Sequence, residues 1–330
     1  MIKNMAYLDV IYTNGVIAAR EKNLLKERLH RLCELTAEEA FRTLLESGFG
    51  GGAETAASVY EYENLIAAEE ARLDEFIREF APSAAEKAYL LSSRDFHNAK
   101  ALLKSAYLQT DVSRLLAPEG LLAIDELKAC VEAQDFAPIK EKNERLAKAC
   151  EEALAVLESE PSGSKVGEIF EKALYGYLFS VAKGKSALKK PLEAKADMTN
   201  ILTALRCGDK ELAREKYLPA GKLKAAELDK LFDEDSERAV KAFARTPYAA
   251  FVAACFASKQ KGVPMTEAEK ILGGYDAAYF AERKYELEKN EPFLYYVYRR
   301  RLECVNVRIV FVCLLAGLGE HEIKKRLRAI

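Results

Sequence analysis

The chain has 330 residues, half of them hydrophobic, with 50 Lys and Arg against 52 Asp and Glu and a formal net charge of −2. That length exceeds what one core usually holds, so two or three sub-domains are expected. The balanced charge gives no electrostatic case for nucleic acid as a partner, and the longest uncharged apolar run, 309–318, is about half of the roughly 20 residues a bilayer crossing needs.

In chain order, the first residues lack the apolar core of a secretion signal. Thr36-Ala-Glu-Glu39 has the capping-box form, in which Thr and Glu exchange backbone hydrogen bonds at a helix start; Ser83-Ala-Ala-Glu86 and Thr266-Glu-Ala-Glu269 repeat it. Stops are expected where Pro and Gly break the ladder: Pro82, Pro118, Pro161, Pro191, Pro219, Pro247, Gly262-Val-Pro264, Gly273-Gly274 and Pro292. Between stops, apolar residues recur at three and four, as in Leu25, Leu29, Leu32 and in Val305, Ile309, Val312, Ala316. No pair of alternating strands emerges, so the fold is expected to be all-α. Main helices are predicted near 87–108, 192–207 and 293–316, with a long amphipathic stretch at 122–158 that Pro138 should bend or split.

Those three helices carry one polar signature. Asp95-Phe-His-Asn98, Asp197-Met-Thr-Asn200 and Glu303-Cys-Val-Asn306 start 102 and then 106 residues apart (197 − 95, 303 − 197), and each leads into a mainly apolar run. After the first two copies, turns at matched distance follow: Leu116-Ala-Pro-Glu-Gly120-Leu121 and Leu218-Pro-Ala-Gly221. A period near a third of the chain indicates three related helical units, approximately 1–117, 118–218 and 219–330, with the N-terminal helices able to pack against the third.

Most candidate chemistry fails on spacing. Gly184-Lys185-Ser186 resembles the end of a phosphate loop, but Phe179 stands where that loop needs its first Gly, and no strand precedes it; a basic turn is the preferred reading. Gly48-Phe-Gly-Gly-Gly52 reads as an interhelix loop. Asp233-Glu-Asp235 has no second acidic cluster to share Mg²⁺ with it and reads as an acidic patch. His30, His97 and His321 are unpatterned, and His97 is expected to be a partly buried hydrogen-bonding residue. Seven cysteines without C-x-x-C spacing read as buried free thiols of a reducing, cytoplasmic compartment. No catalytic residue, metal site or cofactor is therefore expected.

Residues at i and i+3 share a helix face, so each signature presents a carboxylate and an amide to one neighbour. A catalytic reading would converge Asp95, Asp197 and Glu303, with His97 as a proton shuttle. In the structural reading each pair holds the backbone of an adjoining turn, which offsets the desolvation of a buried polar pair. Threefold duplication favours the second.

The ordered set resembles the C subunits of the V-type/A-type ATPases, which are the counterparts of the eukaryotic d subunits. The resemblance rests on Tyr7-Leu8 and Leu24-Leu25, then Arg94-Asp95-Phe-His97-Asn98-Ala-Lys-Ala-Leu102-Leu103. It continues through Asp197-x-x-Asn200-x-x-Thr203-Ala-Leu-Arg206, Tyr217-Leu218-x-x-Gly221-Lys222-Leu223 and Arg301-x-Glu303-x-x-Asn306-x-Arg308 with Gly317-Leu318. One departure is Tyr12-Thr13-Asn14-Gly15, which stands before Arg20 where the family usually carries arginines after its opening Tyr. The resemblance implies a funnel of three similar helical sub-domains about a pseudo-threefold axis. It further implies a non-catalytic protein, peripheral to the membrane, that seats the D and F shaft proteins on a proton- or sodium-carrying proteolipid ring. Arg299, Arg300 and Arg301 with the basic tail Lys324, Lys325, Arg326 and Arg328 are the candidate partner contacts. An unrelated helical-repeat adaptor is the alternative; a helical enzyme using Asp95, His97, Asp197 and Glu303 is the third.

Overall fold

The computed structural model describes residues 2–25, 27–159, 162–233, 235–286 and 289–328, with side chains from Val10 onward except at 53, 114 and 186. Pro161 and Glu234, and the side chains of Tyr7 and Leu8, lie outside the described residues. Every regular element among the described residues is helical.

The chain opens with α1 (Ile2–Arg20), α2 (Arg28–Leu32), α3 (Ala37–Glu46) and α4 (Tyr62–Phe80). Next come α5 (Ala84–Leu108), α6 (Ile124–Ala133), α7 (Ala137–Lys142), α8 (Glu144–Ser159), α9 (Gly163–Val181) and α10 (Ser186–Cys207). Four short helices follow: α11 (Lys210–Lys216), α12 (Ala225–Leu228), α13 (Ser236–Phe243) and α14 (Ala249–Gln260). The chain closes with α15 (Thr266–Ala281), α16 (Glu291–Leu315) and α17 (Glu320–Arg326). The helices fall into two compact units, one formed by residues 1–82 with 265–330 and the other by 83–264.

Local chemistry sets most boundaries. Thr36 and Glu39 exchange both bonds of the capping box at the start of α3. Ser83 accepts the Ala85 N–H at the start of α5, which ends on Gln109 in the left-handed conformation. Pro138 sits in the first turn of α7, where its missing N–H costs nothing, so the 122–158 stretch breaks into α6, α7 and α8.

Three expectations need correction. Pro191 does not stop a helix: α10 runs through it, losing one ladder bond that its buried neighbours Leu188, Leu192 and Ala196 offset. Gly273 and Gly274 lie inside α15, where Gly273 leaves room for the Arg328 side chain. Thr266 forms no capping box, because it already lies within the helix and Met265 occupies the cap.

In the 83–264 unit, α5 packs on α8 and α9 through Phe96, Leu103, Leu146, Cys150, Val166 and Phe170. In the unit that joins the two ends of the chain, α16 is the centre. It is apolar around most of its circumference, as a helix surrounded by others must be. Val307, Val310 and Phe311 meet Leu29 and Leu32 of α2, Phe41 and Leu44 of α3 and Leu65 and Ile66 of α4. Each such side chain contributes roughly 1.5–3 kcal/mol by leaving water. The long helices α5, α10 and α16 thereby hold their polar signatures inside apolar surroundings, where unpaired groups would be costly.

Candidate functional site: three buried carboxylate–amide clamps

All six signature side chains are buried. In each copy the Asn grips both peptide groups of one residue further along the chain. The Asn98 Oδ1 accepts the Ala117 N–H at 2.8 Å, and its Nδ2 donates to the Ala117 carbonyl at 3.0 Å. Asn200 does the same with Leu218, at 2.7 and 3.2 Å. Asn306 does it with Arg328, at 2.8 and 3.1 Å. Ala117 and Leu218 each precede a proline, which biases them to extended backbone. An extended residue turns its own N–H and C=O to one side, so a single primary amide satisfies both.

The carboxylates hold the chain just beyond. Asp95 accepts the Leu121 N–H at 3.0 Å and the Leu122 N–H at 3.1 Å, immediately before α6. Asp197 accepts the Leu223 N–H at 2.9 Å, before α12, and the Tyr248 hydroxyl at 2.6 Å. The intervening glycines are forced by proximity: a Cβ on Gly120 or Gly221 would stand 2.3 Å from the carboxylate oxygen. Burial pushes the Asp197 carboxyl above its ordinary range, against the pull of Tyr248 and the Leu223 and Lys222 N–H groups.

Glu303 reaches across the sequence instead. Its Oε1 accepts the Leu25 N–H at 2.9 Å, ahead of α2, while Oε2 pairs with Arg300 Nη1 at 2.9 Å. Arg300 also meets Glu69 at 2.9 Å, and Glu69 accepts the Gly50 N–H at 2.9 Å. Burial works against the Arg300 charge, but Glu69 and Glu303 outweigh it and hold the guanidinium above its ordinary value. This gives the glycine-rich loop its purpose. Gly50 has φ +62°, and a Cβ there would lie 2.2 Å from the Leu65 carbonyl.

Each carboxylate faces backbone N–H groups of a neighbouring turn, joined by the Tyr248 hydroxyl at Asp197 and by Arg300 at Glu303. His97 is exposed rather than partly buried, its ring nitrogen 2.8 Å from the Leu115 carbonyl at the rim of the first clamp. Lys185 leaves the Gly184 turn to meet Ser83 and Glu86, each at 3.2 Å. Asp235 caps α13 by accepting the Glu237 and Arg238 N–H groups. Among the described residues no group of three metal-ligating side chains forms.

The basic residues divide. Arg300 is buried and committed to Glu69 and Glu303, and Arg299 is nearly so, with Glu303 3.8 Å away. These two are not surface contact charges, because a helix core with a buried carboxylate draws them inward. Arg301 lies over the Tyr298 ring. On α17, Lys324 pairs with Glu34 and Glu320, while Lys325 and Arg326 pair with Glu322. The Tyr248 hydroxyl and the Glu69–Arg300 pair are what sequence reasoning missed. Glu69 left no signal of its own, since Glu70, Arg72, Asp74 and Glu75 beside it make it one charge among several on α4.

No helix is long and apolar enough to cross a membrane among the described residues. A search of curated proteins returned no match to this chain. Residues 13–326, a span that contains all six signature residues, match the family described as ATP synthase (C/AC39) subunit, and the chain belongs to that family of V/A-type ATPase subunits.

Proposed function

We propose that this chain is the non-catalytic central-stalk component of a rotary V/A-type ATPase. In this role it seats the D and F shaft proteins on the membrane proteolipid ring, from the cytoplasmic face, and transmits torque between ATP turnover and proton or sodium movement. The observation that carries the proposal is the family match across residues 13–326. The clamps support it physically. A torque link must not yield under load, and each clamp ties a long central helix to a backbone segment outside it by charge-assisted or paired hydrogen bonds. The three clamps also support three similar units, near 1–117, 118–218 and 219–330, set about a pseudo-threefold axis. Arg301, Lys324, Lys325, Arg326 and Arg328 remain the candidate contact charges, with complementarity setting register more than affinity.

Purification of the tagged chain from its native membranes tests this. It should bring down a long coiled-coil shaft protein and a proteolipid, and alone it should hydrolyse no nucleotide. Robust ATPase activity in the purified chain overturns the proposal. Asp95→Asn with Asp197→Asn separates the classes further: a connector loses stability or assembly, whereas an enzyme would stay folded and lose turnover.

A further inference from the structure

The third clamp is divided where the other two are whole. In copies one and two, the amide and the carboxylate of one signature hold the same turn, at Ala117 with Leu121 and Leu122 and at Leu218 with Leu223. In copy three Asn306 grips Arg328, just past α17, while Glu303 holds Leu25 instead. Within the clamp, α17 is therefore held by the amide without the carboxylate behind it.

The other ties on α17 are slight. It has seven residues, where a helix by itself needs ~12–15 to be even marginally stable. Gly319 at its start supplies no side-chain cap. Lys325 and Arg326 pair with Glu322 inside α17, so the pair that reaches outward is Lys324 with Glu34, 2.8 Å apart and partly exposed on both sides. Exposed pairs of that kind add little. Ile323 and Leu327 are its buried apolar anchors, and they join the same core cluster as Cys33, at the end of α2. Cys33 is 2% exposed, and the charges of Lys324 and Glu320 on α17 both act on its thiol, which burial pushes up to about 11.

We infer that α17 is a releasable strap: residues 319–328 lift from α16 as one piece while the long helices stay packed, which bares Cys33 and frees the Asn306 amide. Closure restores the third clamp. Short elements with few buried contacts open at free energies well below that of global unfolding. The first two clamps have no such freedom, because the gripped residue runs directly into a turn that the carboxylate also holds. Anything that binds only the closed or only the lifted strap shifts the balance between them.

The test is native-state alkylation of the purified full-length chain. Iodoacetamide is added at urea concentrations below the unfolding transition, and each labelled cysteine is mapped by mass spectrometry. Cys304, 1% exposed on α16, reports the core of the same unit. Cys33 should label at least about tenfold faster than Cys304 and with little dependence on urea, because lifting one short helix exposes little surface. Two matched variants, each trimming one buried methyl group, separate strap opening from unfolding of the unit. I323V loosens an anchor of the strap and should speed Cys33 labelling about two- to tenfold; I77V, on α4 outside the Cys33 cluster, should speed Cys304 by a similar factor and leave Cys33 unchanged. One shared rate and urea slope for Cys33 and Cys304 overturns the inference. So does a Cys33 rate that I323V leaves unchanged, or one that I77V raises in step with Cys304.

Discussion

The first two clamps and the third reach one result by different routes. Asp95 and Asp197 bind turns 26 or 27 residues further on, with a glycine beside each carboxylate to let the backbone come close. Glu303 is one methylene longer, and it holds Leu25, 278 residues away, before α2. The turn that follows the signature in copies one and two is thus supplied, in copy three, by the beginning of the chain. The third clamp also carries a buried cation, Arg300, between two carboxylates. The local clamps set a carboxylate against backbone N–H groups by close approach, whereas the long-range clamp adds a buried cation, Arg300.

The largest expected effect tests that added charge. R300M leaves Glu69 and Glu303 buried without their shared partner, and should destabilise the unit of residues 1–82 and 265–330 by ~3–5 kcal/mol. A urea titration followed by hydrogen exchange at the Leu25 and Gly50 amides measures it. Adding E69Q and E303Q to R300M should recover much of the loss, because two neutral amides no longer demand a cation. If R300M is as stable as wild type, charge does not hold this clamp.

The amides come next. Removing an Asn orphans a backbone N–H and C=O, each costing about 1–3 kcal/mol where water is excluded. N200A should cost most, because Leu218 is buried; N98A and N306A should cost less, because Ala117 and Arg328 are part-buried. Exchange rates of the Ala117, Leu218 and Arg328 amides in the three variants give the ranking. A reversed order would mean that burial does not decide what each clamp is worth.

The glycines separate the two routes more finely. G120A and G221A each push a Cβ against a carboxylate oxygen and should cost ~1–3 kcal/mol through overpacking. The third clamp has no such neighbour. Gly319, before α17, has open space where its Cβ would go, so G319A should be close to neutral. Thermal unfolding of the three variants is sufficient to tell them apart.

Much of this was legible in the sequence because it is local. Signature spacing, the Thr36 capping box and the breaks near Pro138 follow from rules that act within one or two helical turns. The Asn grips on Ala117 and Leu218 were half visible, since a proline follows each gripped residue. What stayed hidden was tertiary. Nothing near Arg299-Arg300-Arg301 in the sequence says that the middle residue turns inward, because its reason is Glu69, more than two hundred residues earlier. Pro191 misled for a related cause: its local rule was right, but the packing of Leu188, Leu192 and Ala196 overrode it. The apolar face of α16 was read as part of a helical stripe, and only burial reveals that Val312 remains in water.

The smallest effect concerns Asp197 itself. Asp197 is held above its ordinary carboxyl range by burial, only partly countered by Tyr248 and two backbone N–H groups. An acid whose folded pKa is raised binds more protons in the folded state between its ordinary and its raised value. Its ionisation therefore subtracts stability as pH climbs through that window, after which the penalty is constant. D197N abolishes this titration at the pH-independent cost of one acceptor oxygen, keeping the other for the Leu223 N–H. The urea midpoint of D197N relative to wild type should therefore rise from pH 4 upward and then level off. Y248F should widen the same slope, since it removes one of the groups that oppose the shift. A D197N difference that falls with pH would mean that the Asp197 charge strengthens its clamp rather than weakening it, and the local and long-range clamps would then share one electrostatic logic after all.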